Sequence, residues 1–569
     1  MCAGYPPQGA AGPESPVERV SVARRAHAYP QVSLTAADLV DTPVVAAPAS
    51  ITVSDALRLS RRRHGRVLAC GAEAHVLAED LARADTLGLG ALPATEIARP
   101  LPVVDPHAPE LHVRRALAEG APLVIVRGRS AGAVARGATP RSVSLVARID
   151  AALPSPAREV LAAVTRLAAA HGARAFLAGG VVRDVWRGQT RAARDLDVVI
   201  EGDGPAVARA LAAELGGALL EHERFLTASV QTADHGRIDV VTARTERYER
   251  PGELPRVLPG SMAQDLRRRD FTVNALAVEL ASGSFGLLDP LGGIADLERR
   301  RLRILHPLSF VEDPTRMLRA ARYAARLGLT ADRWTLGCHA LAVRLGPYPA
   351  LSTSRVAAEL ERLLGEPSPG AALALAVRAG VMRILDSRWR PARGGTTRQL
   401  TALDTTLAWV SAHRVASPLT VIALALASEQ PAAVAATLPE RLGVSGESLA
   451  RVRRALAEAP RLAARVRAAS SRSETARVLR EAGGPAQALL HLTMTDEVRD
   501  RVEWYAREGR AVTPELGGDD VIALGVARGP RVSEVLQALR DGRLDGRLVD
   551  RQAEIRYVRS LTVRQERKG

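Results

Sequence analysis

The sequence predicts an α/β chain that turns all-α toward its C-terminus. Three observations carry this. Short apolar runs of strand type, bounded by Gly or Pro, recur up to about residue 300, which is the pattern of strands alternating with helices. From 301 onward the chain becomes Ala/Leu/Arg-rich with helical spacing. Before residue 150 a segment repeats itself, as two α/β units in tandem do. Aromatic residues are only 3% of the chain, so the cores must rest on Leu, Val and Ala, and Ala and Leu favour helix. At 569 residues the chain exceeds a single core, and roughly three or four domains are expected.

The elements follow in order. Residues 1–33 read as disordered. In the repeat, Pro43-Val44-Val45, Val53-Ser54-Asp55-Ala56-Leu57 and Val67-Leu68-Ala69-Cys70 form the first copy. Pro102-Val103-Val104, Val113-Arg114-Arg115-Ala116-Leu117 and Leu123-Val124-Ile125-Val126 form the second, offset by about 56–60 residues. Each copy reads as extended segment, helix, buried strand. Residues 34–150 thereby resemble a degenerate tandem CBS pair. The resemblance aligns Asp80 with an adenine-nucleotide contact, but Leu77 stands where a Ser or Thr is usual. The second copy, around Ala131 to Arg136, has neither residue. A structural or docking role and nucleotide sensing both stay open, and such a pair also offers a surface for a homo-oligomer. Pro154 and Pro156 are expected to mark a linker. Residues 157–300 read as mixed α/β, 301–385 as helical, and 386–569 as a helical body and tail. Arg355–Leu364 and Ala371–Leu385 carry helical periodicity, and Arg388–Thr397 reads as a loop.

Charge narrows the partners. Lys and Arg number 78 against 62 Asp and Glu, for a net charge of +16. Such an excess attracts polyanions, chiefly nucleic acid. Lys568 is the only lysine; genome base composition accounts for that skew but not for the net excess. Cys2, Cys70 and Cys338 are too scattered for a disulfide framework or a metal-ligand pair. No run of 18 apolar residues exists, so no membrane span is expected. Met1–Pro16 lacks an apolar signal core, and a cytoplasmic protein is expected.

The chemistry lies between 173 and 275. Ala173–Ala178 reads as a strand, Gly179-Gly180 as a tight turn, and Val181-Val182-Arg183-Asp184-Val185-Trp186 as the opening of a helix. A glycine pair there lets the backbone approach a ligand, and free N–H groups at a helix start favour phosphate. Alone it is only a turn. Asp195-Leu196-Asp197-Val198-Val199-Ile200 then reads as a buried strand whose two carboxylates share one face. Like charges that close repel and call for a cation, and hard oxygen ligands suit Mg²⁺. Arg237-Ile238-Asp239-Val240-Val241 reads as another strand, and Asp239 offers a third acid.

In this order the motifs resemble the class II tRNA nucleotidyltransferases and bacterial poly(A) polymerases. Gly179-Gly180-Val181-Val182-Arg183-Asp184 with Asp195-Leu196-Asp197 carries the resemblance first. It continues through Arg268-Arg269-Asp270-Phe271-Thr272-Val273-Asn274-Ala275, then Asp289-Pro290-Leu291-Gly292-Gly293. Glu312-Asp313-Pro314-Thr315-Arg316 and Ser354-Arg355 with Glu359 complete it. It implies a nucleotidyltransferase head with a mixed sheet, a helical neck, and a helical body and tail. It implies two Mg²⁺ ions on Asp195 and Asp197, with Asp239 as a third catalytic acid. Gly179, Gly180 and Arg183 fall on its nucleotide-binding turn. Arg268, Arg269, Asp270 and Asn274 would bind the ribose and triphosphate. The segment Asp289–Gly293 would be the hinge, although Leu291 replaces the usual Phe. Asp313 and Arg316, three apart and expected on one helix face, would read the base of CTP or ATP, with Arg319 beside them and Arg355 and Glu359 in support. Near the C-terminus, Gly529-Pro530-Arg531 would start a helix, and Arg528 and Arg531 would touch RNA backbone.

The implied reaction adds CMP, AMP or both to the 3′ end of tRNA, building the CCA end. Poly(A) polymerase activity on general RNA shares every motif. A catalytically inactive RNA-binding regulator is the reading from another class, and the intact Asp195, Asp197, Asp313 and Arg316 speak against it.

Overall fold

The computed structural model describes residues 34–128, 132–134, 144–189, 195–222, 225–234, 236–281, 284–391 and 395–566. The segment 1–33, expected to be disordered, lies outside them, as do Ala131, Ala135 and Arg136 of the second repeat copy.

The N-terminal repeat forms one sheet. Its first copy runs β1 (Thr42–Ala47), α1 (Val53–Arg63), β2 (Val67–Cys70), β3 (Ala74–Leu77) and α2 (Ala78–Thr86). Its second runs β4 (Val103–Val104), α3 (Glu110–Ala118), β5 (Val124–Val126) and β6 (Gly132–Val134). In each copy the first two strands pair parallel across the helix and the third returns antiparallel. Antiparallel pairing of β1 with β6 joins the halves in the order β3-β2-β1-β6-β5-β4. The returning strands span only three or four residues, too few for periodicity to reveal them. Asp80 is fully buried, and both its carboxylate oxygens accept from Arg99, at 2.6 and 2.8 Å. It faces the interior of the repeat rather than a ligand.

The expected linker at Pro154 and Pro156 is corrected by the structure. α4 (Val146–Ala152) leads into α5 (Ser155–Ala170), with Pro154 at its N-cap and Pro156 in its first turn. Proline suits that position because the first-turn N–H groups have no partner in the helix. Leu145, Ile149 and Leu153 already belong to the core of the mixed sheet.

That sheet has seven strands. β7 (Arg174–Ala178), α6 (Gly180–Trp186), β8 (Asp195–Glu201), α7 (Gly204–Leu215), β9 (Ala218–His222), β10 (Thr227–Thr232) and β11 (Gly236–Thr242) come first. A side hairpin, β12 (Arg244–Arg247) and β13 (Arg256–Pro259), and α8 (Met262–Arg267) follow. β14 (Ala277–Ala281), β15 (Ser284–Leu288) and α9 (Gly293–Glu298) complete the unit. The strand order is β15-β14-β7-β8-β11-β10-β9. Leu196, Val198, Ile200, Ile238 and Val240 face α5 and α7, while Val199 faces α8. Strand alternation therefore puts positions 195, 197 and 239 on the α8 side of the sheet.

Helices then take over. α10 (Ser309–Glu312), α11 (Thr315–Leu327), α12 (Arg333–Leu345), α13 (Thr353–Leu364) and α14 (Pro369–Arg378) precede a helical body that runs to Glu566. The periodic stretch Ala371–Leu385 is not one helix: Gly380, at φ +72°, turns the chain into a 3₁₀ turn over Val381–Ile384. The expected loop Arg388–Thr397 ends early, since a helix begins at Gly395. Among the described residues, no helix is long and apolar enough to cross a membrane.

The repeat does not hang free. Val53, Leu68, Leu81 and Ile97 share one core with Phe271, Phe310 and Leu341. The Trp334 indole donates to the Ala98 carbonyl (2.9 Å), Arg99 to the Leu305 carbonyl (3.0 Å), and Arg344 pairs with Glu96 (2.9 Å). The second copy abuts the segment Asp289–Gly293. A Cβ on Gly120 would lie 2.2 Å from the Leu291 main chain, and one on Gly292 would lie 2.0 Å from the Glu119 carbonyl oxygen.

Candidate active site

The acidic cluster is set by strand register. β8 and β11 pair in parallel, with Asp239 beside Asp197 and Arg237 beside Asp195. Neighbouring strands lie about 4.8 Å apart, so the Asp197 and Asp239 carboxylates stand side by side on one face. Asp197 is exposed and Asp239 partly so. Asp239 accepts from the Ser229 hydroxyl and, at 2.9 Å, from Arg237 Nε. Two carboxylate oxygen donors on adjacent strands match what a hard divalent cation takes.

The glycine turn closes one end. Gly179 has φ +80°, which only glycine adopts without strain. A Cβ there would also meet the Arg269 guanidinium at 2.8 Å. Arg183 is 2% exposed and lies behind the turn, donating to Asp184 (2.9 Å) and to the Asn274 side-chain oxygen. The amide nitrogen of Asn274 donates to Asp270 (3.0 Å), which also accepts from the Phe271 N–H and from Arg319, both at 2.8 Å. Burial pushes the Asp270 carboxyl up, but Arg319, Asn274 and Arg316 together hold it below the usual carboxylate range. Arg183, Asp270 and Asn274 thus form an interior layer, bonded to one another rather than open to a ligand.

Arg268 and Arg269 stand in front of that layer. Both hold Asp265, which is fully buried in α8, at 2.7 and 2.9 Å. Arg268 also reaches Glu246 at 2.9 Å. Burial pushes the Asp265 carboxyl up, and the two guanidinium groups overcome it and keep it ionised. α8 is well anchored for this task by a capping box, in which Ser261 and Gln264 exchange hydrogen bonds.

Asp313 and Arg316 come together, but not on one helix face. Asp313 sits in the break between α10 and α11, with an extended backbone at φ −130°, ψ 92°. Its Oδ1 accepts from the Thr315 N–H (3.0 Å) and is ion-paired with Arg355 at 2.7 Å, and its Oδ2 is 4.0 Å from Arg316 Nε. Pro314 is the reason for the break: lacking an N–H, it cannot continue α10. Arg316, 6% exposed, donates to the Ser309 hydroxyl (2.7 Å) and the Arg268 carbonyl (2.9 Å). Arg355 also donates to the Gly252 carbonyl at 2.6 Å.

Sequence reasoning missed Glu246 and Tyr248. The Tyr248 hydroxyl donates to Glu246 at 3.1 Å, and burial pushes its pKa up, so a neutral phenol stands near Arg316. A signal existed: Arg244, Glu246 and Tyr248 recur at every second residue and so share one side of an extended segment. At the far end of the chain, Gly529 at φ +130° leads into a helix at Pro530, as expected, with Arg528 exposed and Arg531 paired with Glu534 at 2.7 Å.

Comparison with known proteins agrees with this geometry. The model of the poly(A) polymerase head domain family matches residues 175–303. An A-adding tRNA nucleotidyltransferase of Geobacter sulfurreducens is 35% identical over 399 residues, covering 67% of this chain and 44% of the relative. A CC-adding tRNA nucleotidyltransferase of Deinococcus radiodurans is 36% identical over 374 residues, covering 65% of this chain and 84% of the relative. The chain thus spans less than half the length of the first and most of the second. A solved structure of a CCA-adding enzyme without ligand superposes with a TM-score of 0.65 at 24% identity, covering 74% of this chain and 99% of that one, a likeness of fold. With five ordered motifs, the mixed-sheet head and a relative matched over most of its length, the chain belongs to the tRNA nucleotidyltransferase and poly(A) polymerase family.

Proposed function

We propose that this protein transfers CMP, AMP or both from CTP or ATP to the 3′ end of tRNA, releasing pyrophosphate. The observation that carries the reading is the register of Asp239 beside Asp197, on the side of the sheet that α8 covers, with Arg268 and Arg269 directly after α8. The relatives named for A addition and CC addition support the acceptor and the nucleotides.

The 3′-oxygen of the RNA attacks the α-phosphorus, the bond to the β-phosphate oxygen breaks, and pyrophosphate leaves. Asp195, Asp197 and Asp239 would hold Mg²⁺, which when bound supplies Lewis-acid stabilisation of the charge on the phosphoryl oxygens. The chain's own groups do the rest. The bend at Gly179 leaves room for phosphate. Arg268 and Arg269, fixed from behind by Asp265, bring positive charge to the triphosphate. Arg183, Asp270, Asn274 and Arg319 position that pair. Asp313 accepts from the exocyclic amine that both CTP and ATP carry, and Arg316 donates to ring or carbonyl atoms.

The division into a repeat at 34–150, a head at 157–300, a neck at 301–385 and a body to 569 belongs to the same proposal, with the head's core extended back to Leu145. So do the RNA contacts of Arg528 and Arg531 and a cytoplasmic location.

The test is a nucleotide-and-acceptor matrix. tRNA ending before CCA, after C and after CC, together with an unrelated oligonucleotide, is offered CTP and ATP separately with Mg²⁺. Incorporation confined to tRNA ends supports the reading. AMP runs on the oligonucleotide would favour poly(A) synthesis, which the head-domain match also accommodates. No incorporation on any acceptor would leave an inactive RNA-binding protein.

A further inference from the structure

We propose that Arg83, from the N-terminal repeat, is a positioning residue for nucleotide binding, acting through Glu312 on Asp313 and Arg316. The proposal rests on the base-reading role of that pair.

Glu312 is the last residue of α10 and directly precedes Asp313. Its side chain is 3% exposed. A carboxylate so deep needs donors, and two elements supply them. Arg83 of α2 reaches in from 229 residues away and donates to Oε1 at 2.8 Å. His306 stands 3.3 Å from Oε2. His306 is buried, and Arg83, Arg316 and Arg99 lie near it, so it is neutral. Its Nδ1 has no hydrogen-bond partner, which leaves Nε2 as the protonated nitrogen facing Glu312.

Burial pushes the Glu312 carboxyl up, and Arg83, from outside the head and neck, is the first of the guanidinium groups that oppose this, with Arg316 beside it. Arg83 is 34% exposed but Glu312 is not, so removing Arg83 leaves a buried carboxylate uncompensated, and the local structure rearranges or takes up a proton. Whatever moves Glu312 moves the base-reading pair. Asp313 follows it in the chain, and Arg316, anchored on Ser309 of the same short helix, feels its charge. The Gly252 N–H, at 3.2 Å from the Glu312 carbonyl, ties the side hairpin to the same point, and the Gly252 carbonyl in turn accepts from Arg355, the partner of Asp313.

A docking contact would look different. Arg344 with Glu96 joins the same repeat to the same neck, but both side chains are at least a third exposed and neither touches Glu312. It serves as the control.

The experiment compares full-length wild type with Arg83→Met, Arg83→Lys, Glu312→Gln, the Arg83→Met/Glu312→Gln double variant and Arg344→Ala. Equilibrium binding of CTP, ATP and tRNA and the thermal midpoint are measured for each. We expect Arg83→Met to weaken CTP and ATP binding by roughly fivefold or more, with tRNA affinity within about twofold of wild type. Arg83→Lys should restore most of the loss, and the double variant should bind no worse than Arg83→Met alone. Arg344→Ala should lower the midpoint and leave nucleotide binding intact. Unchanged nucleotide affinity in folded Arg83→Met, whatever its midpoint, would overturn the proposal. Arg83→Gln answers the same question if the Met variant does not fold. A wild type that binds CTP and ATP but transfers neither overturns the reaction proposed above, and the binding comparison still decides the role of Arg83.

Discussion

Arg316, on a neck helix, donates to the main-chain carbonyl of Arg268, on the head, at 2.9 Å. The arginine proposed to read the base is thus tied to the backbone of the arginine proposed to meet the triphosphate, so the tie does not depend on the rotamer of Arg268.

Arg316→Ala should relax discrimination between CTP and ATP more than it weakens tRNA binding. Losing the bonds to Ser309 and Arg268 should also cost about 1–3 kcal/mol of stability. Single-turnover incorporation of each nucleotide, beside urea denaturation, checks both. Discrimination equal to wild type would remove Arg316 from base reading.

Asp195→Asn and Asp197→Asn should each lower transfer by about a hundredfold or more while tRNA binding persists. Filter binding and labelled-CTP incorporation separate the two effects. Near-normal turnover in either variant would refute the assignment of these carboxylates.

The tie between Asp270 and Arg319 makes an acid limb of stability. The folded state holds the Asp270 carboxyl below its ordinary value of about 4, so the unfolded chain binds its proton more readily. The stabilisation is complete above that ordinary value and disappears as pH falls through the lowered folded one. Urea midpoints recorded from pH 6 down to about 3 should fall less steeply for Asp270→Asn than for wild type. Parallel slopes would contradict the sign.

The legibility of this chain divides by sequence distance. The glycine turn, the Asp195–Asp197 strand and the Asp239 strand are local patterns, and each appears where the sequence places it. Asp313 and Arg316 are three apart, but Pro314 between them breaks the helix that this spacing suggests. Pro154 and Pro156 start a helix instead of a linker, because proline has the same local signature in both settings. Glu246 with Arg268 and Arg83 with Glu312 pair across 22 and 229 residues. No periodicity records a contact of that kind.

Two glycines of similar backbone should respond differently to substitution. Gly88, at φ +75°, has open space around a Cβ, so Gly88→Ala should cost about 1 kcal/mol from backbone strain. Gly120, at φ +89°, has the Leu291 main chain where its Cβ would go. Gly120→Ala must displace that main chain as well, adding about 1–3 kcal/mol. Limited proteolysis near Leu291 should accelerate in the Gly120 variant alone; equal rates would show that the repeat does not brace that turn.

The shared core of the first repeat copy and the neck has a practical corollary. Val53, Leu68, Leu81 and Ile97 are packed with Phe271 and Phe310 as if no boundary ran between them. A truncation that begins near residue 150 would strip an apolar cover from the part of the chain that carries Asp195 to Arg316, leaving a surface prone to aggregation. Expression tags and fusions belong ahead of Leu34, and a homologue lacking the repeat must carry polar residues, or some other lid, on the face where this protein seats Glu96 and Ala98 against Arg344 and Trp334.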